Sequence, residues 1–367
     1  MRIGIDISQI VYQTGVSRYT AELVENLLKI DQKNQYVLYA GSLRQRQILK
    51  AFVAKLPRKV KLVLSPFSPK IADLIFNRCN LPINRLIGNV NVFHASNWMI
   101  PKIECPIVTT IHDLTFLKFP EEHLPYYIAA HKRHLFRAKK AQVVITVSQA
   151  TKRDLINEGF ATDKIQVIYE AAGSIFKPVK SAPIKVKYQL TKPYILSVGT
   201  REPRKNIKRL IQAYTKLFHP GVEYSNTPGC ELAIVGKFGW GEKTQVLPGI
   251  KLLGFVPDED LAGLYSGAQA FVYPSLYEGF GLPVVEALSC GCPVVTSNVS
   301  SLPEIGGEAA IYVDPLSVAA ITSGIKTALE STSKLRRLGL EQAKKFSWEK
   351  TARETLKIYE KVYADRY

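Results

Sequence analysis

Short runs of apolar residues, rich in valine and isoleucine, alternate with helical patterns along almost the whole chain, and this alternation restricts the fold most. The runs show little polar alternation, which is typical of strands buried on both faces of a mostly parallel sheet. The first helical pattern spans 16–30, where apolar residues step by three and four positions. In the first half of the chain, strands are predicted at 3–7, 36–40, 60–64, 90–94, 107–111, 143–147 and 165–168.

A second set of apolar runs follows, with helical patterns at 207–218 and 258–266 between them. Strand–helix alternation of this density indicates a doubly wound α/β architecture. Because the pattern occurs twice, we expect two Rossmann-like domains. The second set predicts strands at 194–198, 232–235, 251–255, 270–273, 294–296 and 310–313.

The domain boundary is predicted near 173–193, a stretch rich in proline and lysine that has no clear helix or strand period. We expect an N-terminal domain at 1–175 and a C-terminal domain at 176–346. The last helical pattern, with Ser347 as its predicted N-cap, gives a helix at 347–367 that we expect to pack back toward the N-terminal domain.

The chain is strongly basic, with 49 Lys and Arg against 31 Asp and Glu and a formal net charge of +18. Much of the excess lies at 44–61 and at 126–140, where aromatic residues accompany the cations. A basic amphipathic helix with aromatic residues is typical of peripheral attachment to an anionic membrane surface. A solvated face that aids solubility is the alternative. Nucleic-acid binding is disfavoured because no binding module is recognisable.

The apolar runs, the possible metal ligands and the cysteines of the sequence favour a cytoplasmic protein without a metal site. No apolar run approaches the roughly 18 residues that span a bilayer. No His, Cys, Asp and Glu cluster has the spacing of metal ligands. Five cysteines lack a CxxC pair, which fits a reducing compartment, and we expect them to be small core residues: Cys79, Cys105, Cys230, Cys290 and Cys292.

The segment 273–295 carries the strongest indication of chemistry. Its glycines allow the backbone to approach a ligand closely, and the free N–H groups of a helix start form an anion site. We therefore predict a phosphate or diphosphate over 281–284. The strand ends at Tyr273, the loop carries Glu278, Gly279, Phe280 and Gly281, and the helix begins at Leu282–Pro283 and ends at Gly291.

Glu278 and Glu286 flank this predicted anion site, eight positions apart. Carboxylates accept hydrogen bonds from vicinal hydroxyls, so one carboxylate on the ribose and one on the sugar would suit a nucleotide sugar. The alternative is that both are solvated surface charges, with Glu286 only complementing the helix dipole.

Two cations and a histidine follow predicted strands elsewhere. Arg204 and Lys205 come after a proline-containing turn and are predicted to open a helix, where cations are unfavourable unless an anion is near. Arg201 is a further phosphate candidate or a solvated residue. His112 ends a strand at the sheet edge where α/β proteins bind ligands, although a lone histidine is usually a core residue with a satisfied partner.

Together, these segments resemble the family 4 retaining glycosyltransferases of the GT-B fold, in the mannosyltransferase-like branch. The segment 278–286 is similar to the E-x7-E element of that family, and VGTREPRKNIKRL at 198–210 is similar to its donor-phosphate loop. IHDLTFLKFP at 111–120 resembles the H-D-L element, and IDISQIVYQTGVSRY at 5–19 resembles the glycine-containing first loop. The chain departs from the pattern at Ser17, where many members have glycine, and at 169–173, where YEAAG replaces P-N-G-V.

The resemblance implies two Rossmann-like domains that face each other across a cleft, and domain closure onto the donor. It implies that Arg204 and Lys205 hold the donor diphosphate, Glu278 the sugar hydroxyls and Glu286 the ribose. His112 would face the transferred sugar through its carbonyl or its ring. Backbone groups near the phosphate and the base would be those of Gly15, Gly199, Gly236–Lys237 and Gly254–Val256.

The implied activity is transfer of a hexose from a nucleotide-sugar donor, with retention of configuration and without a metal cofactor. Mannose from GDP-mannose, moved to a glycan or lipid-linked acceptor in polysaccharide biosynthesis, is the leading hypothesis. The first alternative is a UDP-glucose-dependent glucosyltransferase. The second is a non-catalytic basic membrane or nucleic-acid adaptor on the same scaffold. A dinucleotide-dependent dehydrogenase is disfavoured because no G-x-G-x-x-G follows an early strand.

Overall fold

A computed structural model of the protein describes residues 1–12, 14–41, 45–67, 71, 73–79, 81–95, 99–218, 229–241 and 247–366, without the side chains of 73, 77 and 78. The chain forms two compact units. The first comprises residues 1–170 together with 348–367, and the second comprises residues 171–347.

The first unit is built on a parallel seven-stranded sheet in the order β3-β2-β1-β4-β5-β6-β7. The central strands are almost wholly buried, because helices cover both faces of a parallel sheet. The strands are β1 (Arg2–Asp6), β2 (Gln35–Gly41), β3 (Lys61–Ser65), β4 (Val92–Ala95), β5 (Ile107–Ile111), β6 (Val143–Thr146) and β7 (Ile165–Val167).

The helices of the first unit connect these strands. The N-cap of α1 is Thr14, whose hydroxyl accepts from the backbone of Ser17 while the Ser17 hydroxyl accepts from the backbone of Thr14. The α-helices are α1 (Gly15–Ile30), α2 (Arg46–Ala54), α3 (Asn84–Ile87), α4 (Thr115–Lys118), α5 (Pro125–Ala138) and α6 (Gln149–Asn157); Asp73–Arg78 is a π-helix, and Ser8–Tyr12, Pro120–Glu122 and Thr162–Lys164 are 3₁₀ turns.

The second unit contains a parallel six-stranded sheet in the order β10-β9-β8-β11-β12-β13. Its strands are β8 (Tyr194–Val198), β9 (Glu231–Val235), β10 (Ile250–Gly254), β11 (Ala270–Tyr273), β12 (Val294–Ser297) and β13 (Ala310–Val313). Its α-helices are α7 (Ala182–Lys187), α8 (Ile207–Phe218), α9 (Asp258–Gly267), α10 (Leu282–Ser289), α11 (Leu302–Gly306), α12 (Val318–Glu330) and α13 (Thr332–Ala343), with 3₁₀ turns at Pro203–Lys205 and Gly307–Ala309.

The last helix, α14 (Trp348–Ala364), belongs to the first unit and packs along α1. The indole of Trp348 meets the ring of Tyr19 edge-on at 5.9 Å between centroids. The Thr351 hydroxyl donates to the carbonyl of Tyr169 at 2.6 Å. These contacts fix the start of α14 on the first unit.

The predicted strands are confirmed within one or two residues, because a run of buried branched residues identifies a parallel strand locally. Three expectations were wrong. The stretch before Tyr194 does contain a helix, α7, which is short and has a proline in its first turn. Cys79 is exposed, whereas the other four cysteines are buried. Arg204 and Lys205 lie in a 3₁₀ turn of their own, and left-handed Asn206 separates it from α8.

Candidate functional site

The candidate residues of the second unit follow the carboxyl ends of β8 and β11. These two strands are neighbours in the sheet. Parallel neighbours end at the same edge, and this is the edge at which α/β sheets bind ligands. The turn after β8 carries Arg204 and Lys205, and the loop after β11 carries Glu278. The sheet therefore brings together three residues that are far apart in the sequence.

Hydrogen-bond donors converge on one oxygen of the Glu278 carboxylate. Oε1 accepts hydrogen bonds from Lys205 Nζ at 2.6 Å, Ser275 Oγ at 2.5 Å and Tyr273 OH at 2.8 Å, and it forms an ion pair with Arg204 Nη1 at 3.0 Å. Within the described part of the chain, no donor reaches Oε2. Glu278 is therefore locked in one orientation through one oxygen, while its second oxygen keeps its lone pairs.

The charges of this cluster depend on one another. Burial disfavours the ionised form of Glu278, but Arg204 and Lys205 outweigh it and lower the pKa of the carboxyl to about 2. Burial and the neighbouring Arg204 lower the pKa of Lys205, and Glu278 opposes that shift. Burial and the Glu278 charge raise the pKa of Tyr273, which keeps its hydroxyl as a neutral donor. The solvated alternative for Glu278 is wrong, since its side chain is buried.

The loop around Glu278 is held by hydroxyl groups and by a glycine. Ser301 Oγ donates to the Phe280 carbonyl at 2.7 Å, and the Phe280 side chain is buried. Gly281 has a φ of 109°, and a Cβ there would lie 2.9 Å from Leu302 Cδ2. Gly279 is buried, and Leu282 begins α10 directly after Gly281. Phe280 therefore supports this loop from the core, and its side chain is not open to a ligand.

Glu286 lies in α10 and is 2% exposed. Its Oε2 accepts from the hydroxyl of Tyr265 in α9 at 3.2 Å. The solvated alternative is therefore wrong for Glu286 too. A buried carboxylate in a helix that follows the loop is compatible with a ligand role or with a structural one.

The glycine-rich ends of β8 and β9 approach each other very closely. Gly199 has a φ of 148°, and Gly236 has a φ of 131°. A Cβ on Gly236 would lie 1.9 Å from the Gly199 carbonyl oxygen. The aliphatic part of Lys205 lies beside Gly199, 3.6 Å from the position of its Cβ. These glycines allow the turn after β8 to pack closely against the end of β9, with Lys205 beside Gly199.

Arg201 and Val256 lie at the same sheet edge with less defined contacts. The Arg201 guanidinium lies 5.9 Å from the centroid of the Phe238 ring, and its buried Nε has no hydrogen-bond partner within the described residues. Arg201 is only partly exposed, so it is not simply a solvated residue. Val256 is buried, two residues after the end of β10.

The first unit places His112 at the end of β5 against a residue to which the sequence gave no role. His112 Nδ1 lies 3.0 Å from Oε1 of Glu170, and both side chains are largely buried. Tyr19 meets the His112 ring edge-on at 4.6 Å between centroids. The His112 carbonyl accepts from Thr151 Oγ1 at 3.2 Å. The departure from the family pattern at 169–173 was the one sequence signal that pointed to Glu170.

Gly15 is the first residue of α1 and is exposed. Ser17, which replaces a glycine of the family pattern, is buried, and its hydroxyl donates to the Gln9 carbonyl at 2.5 Å. Ser17 thus stabilises the first loop as well as the start of α1. Its side chain is accommodated inside the unit, so the exposed surface at Gly15 is unaffected.

The described residues contain no group of three or more His, Cys, Asp or Glu side chains placed to hold a metal ion. No described helix is long and apolar enough to cross a membrane.

Comparison with known proteins agrees with this architecture. Sucrose-phosphate synthase from Thermosynechococcus elongatus superposes with a TM-score of 0.72 at 19% identity, over 100% of both chains. Anabaena HepE in complex with UDP-glucose superposes with a TM-score of 0.69 at 17% identity, over 98% of this chain and 100% of that one. The fold is therefore that of the GT-B glycosyltransferases.

Sequence comparison narrows the class. The models of glycosyltransferase family 4 and of glycosyl transferases group 1 match residues 13–171 and 181–346. The O-antigen chain mannosyltransferase B of Escherichia coli is 34% identical over 94% of this chain and 96% of its own length. The chain is a glycosyltransferase and belongs to the family 4-like enzymes of the GT-B fold.

Proposed function

We propose that this glycosyltransferase moves mannose from GDP-mannose to a hydroxyl of a glycan or lipid-linked acceptor, with retention of configuration. The proposal for the sugar is supported by the relative named an O-antigen chain mannosyltransferase, which aligns over nearly its whole length. The acceptor class is inferred from the same name. Polysaccharide biosynthesis is the process that such a reaction would serve.

The asymmetric hydrogen bonding of Glu278 carries the proposal. Three hydrogen bonds and the ion pair with Arg204 hold Oε1, so the carboxylate cannot rotate freely, and Oε2 remains able to accept hydrogen bonds. A low pKa keeps the group ionised and therefore an acceptor only. A fixed acceptor at the carboxyl edge of the sheet suits recognition of the hydroxyls of a bound sugar.

The cations beside Glu278 suit a departing diphosphate. Lys205 Nζ has three N–H groups and uses two of them on Tyr273 and Glu278, which leaves one for a phosphate oxygen. The backbone N–H groups at the start of α10, after Gly281, add an anion site. We propose that Arg204, Lys205 and this helix start stabilise the charge that develops on the leaving diphosphate, in place of a metal ion.

The remaining residues have assigned roles within the proposal. Glu286 would accept from the ribose hydroxyls, and Arg201 would add a charge for the phosphates. Backbone groups near Gly199 and Val256 would contact the phosphate and the base. His112 would contact the transferred sugar, and Gly15 would lie near the phosphate.

A UDP-glucose-dependent glucosyltransferase is the second candidate, because a solved structure of the same fold holds UDP-glucose. The non-catalytic adaptor alternative gains no support from the structure. Arg204, Lys205 and Glu278 are all present and lie together at the sheet edge, as a donor site requires.

A thermal-shift panel with GDP, UDP, ADP and their hexose conjugates tests the donor. A ligand that binds the folded state raises the melting temperature by mass action. Selective stabilisation by GDP and GDP-mannose is the expected result. Selective stabilisation by UDP-glucose would replace the mannosyl proposal with the glucosyl one. No shift with any nucleotide, for protein shown to be folded, would contradict both.

We also propose that α5 attaches the enzyme to an anionic membrane surface. Tyr126 and Phe136 are each 67% exposed on this helix. Lys132, Lys139 and Lys140 are exposed beside them, and Lys140 Nζ lies 5.8 Å from the centroid of the Phe136 ring. Exposed aromatic rings among cations suit the interface between lipid headgroups and acyl chains. In the second basic stretch, 44–61, residues 46–54 form α2, whereas position 44 lies outside the described residues.

Flotation with vesicles that contain anionic lipid tests this attachment. We expect the wild-type protein to float at low salt and to be released at high salt. The double variant Tyr126→Ser with Phe136→Ser should float much less. Val186→Ser, which removes a residue that is 80% exposed in the second unit, is the matched control. Absence of wild-type binding at low salt would contradict the proposal.

A further inference from the structure

Glu170 is buried in the first unit, and its hydrogen bond with His112 joins residues 58 positions apart. The side chain of Glu170 is 4% exposed and that of His112 is 11% exposed. A buried carboxylate is costly unless its oxygens are hydrogen-bonded, so the contact with the imidazole is an interaction that the fold maintains.

The partner of Nδ1 determines which ring nitrogen carries the proton. An ionised carboxylate accepts hydrogen bonds and has no proton to donate. Opposite an ionised Glu170, Nδ1 of His112 is therefore the nitrogen that carries the proton. In the neutral ring, Nε2 is then a hydrogen-bond acceptor. Within the described residues, Nε2 has no hydrogen-bond partner.

The His112 carbonyl is less suited to the same task. It already accepts one hydrogen bond from Thr151 Oγ1 at 3.2 Å, which occupies one of its two lone pairs, whereas no described residue engages Nε2. The edge-on contact with Tyr19 limits tilting of the imidazole. The Tyr19 hydroxyl is itself held by Thr110 Oγ1 at 3.1 Å. Tyr19 and Glu170 thus fix the ring in position and in protonation state.

We propose that Glu170 is a positioning residue, which holds His112 in the Nδ1–H tautomer so that Nε2 accepts a hydrogen bond from a hydroxyl of the sugar substrate. The part of this inference that concerns the sugar rests on the proposed function, whereas the assignment of the His112 tautomer does not depend on it. Glu170 does not touch the substrate; it acts through His112. The specific chemistry is a hydrogen bond from a substrate hydroxyl group to Nε2 of the imidazole.

NMR of the histidine ring nitrogens tests the tautomer without any substrate. The chain has six histidines, so selective ¹⁵N labelling gives few signals, and His112→Gln identifies the one required. At a pH where the ring is neutral, we expect the wild-type protein to carry the proton on Nδ1. Glu170→Gln, whose amide can donate as well as accept, should shift the population toward Nε2–H.

Steady-state kinetics of the Glu170 variant test whether the position of His112 matters for turnover. Glu170→Gln should lower kcat about 10- to 100-fold with little change in the KM for the donor, as expected for a misplaced group. Glu158→Gln, an exposed glutamate of the same unit, should leave both constants unchanged. The melting temperature of each variant shows whether it is folded.

The outcomes separate this inference from the proposed function. A wild-type proton on Nε2 would overturn the inference whatever the activity. If Glu170→Gln loses the Nδ1–H tautomer of His112 but keeps its turnover, the positioning role is overturned. An enzyme that accepts neither GDP-mannose nor UDP-glucose, while its His112 tautomer is as expected, would contradict the proposed function alone.

Discussion

Lys205 Nζ donates a 2.6 Å hydrogen bond to Glu278 Oε1, although 73 residues separate the two positions. Lys205 follows β8 and Glu278 follows β11, and the crossover of the sheet makes these strands neighbours. The geometry of the candidate donor site thus follows directly from the strand order. The cation and the carboxylate of this contact can be tested separately, by substitution of Lys205 and of Glu278.

Replacement of Lys205 by alanine should reduce turnover strongly. The variant loses a charge for the leaving diphosphate and one donor to Glu278, so kcat should fall about 10²- to 10³-fold. The measurement is steady-state transfer from the donor that the thermal-shift panel selects. Lys216→Ala, an exposed residue of α8, is the control and should behave as wild type. Near wild-type turnover of Lys205→Ala would refute its role.

Glu278→Gln should change how stability depends on pH. The folded-state pKa of about 2 lies below the ordinary value of 4.5, so the carboxylate contributes stability above pH 4.5 and loses it as pH falls toward 2. At pH 7 the variant should be less stable by about 3 kcal/mol. Between pH 6 and pH 3.5 that difference should shrink by about 1 kcal/mol. Urea unfolding at several pH values measures it.

The control for that series is Glu259→Gln, which changes an exposed carboxylate at the start of α9. It should differ little from wild type at any pH. A stability difference for Glu278→Gln that is constant across the series would mean that the ion pair does not titrate as proposed.

A paired glycine comparison tests the close approach of β8 and β9. Gly236→Ala would place a Cβ 1.9 Å from the Gly199 carbonyl oxygen, on a backbone with a φ of 131°. We expect a loss of about 2–4 kcal/mol, since both clash and strain contribute. Gly254→Ala, with a φ of 67° and nothing within 4 Å of its Cβ, should cost only about 1 kcal/mol. Equal losses would exclude the steric contribution.

Tyr359→Phe should destabilise the first unit. The Tyr359 hydroxyl of α14 lies 2.5 Å from His94 Nδ1, and His94 Nε2 lies 2.9 Å from Thr110 Oγ1. Burial lowers the pKa of His94 to about 3, so the ring is neutral. Without the hydroxyl the buried Nδ1 is unpaired, at a cost of about 1–3 kcal/mol. Tyr12→Phe, at a ring 49% exposed, is the control for urea unfolding.

The candidate site could be predicted from the sequence where local chemistry was informative. The loop at Glu278, the cations at 204–205 and the histidine at 112 each follow a recognisable strand, which places them at a carboxyl edge. Glu170 could not be found in that way. It lies just after a short strand without a local motif, and its importance comes only from the imidazole 58 residues earlier.

The two parallel sheets could be predicted from local sequence, since each strand is a short run of branched apolar residues and each helix shows its own apolar period. Local sequence also placed Arg204, Lys205 and Glu278 at strand ends. The meeting of three hydrogen-bond donors on one oxygen of Glu278, and the contact of Glu170 with His112, could be seen only in the folded protein. Those contacts depend on strand order and side-chain packing between distant segments, and no local pattern in the chain contains that information.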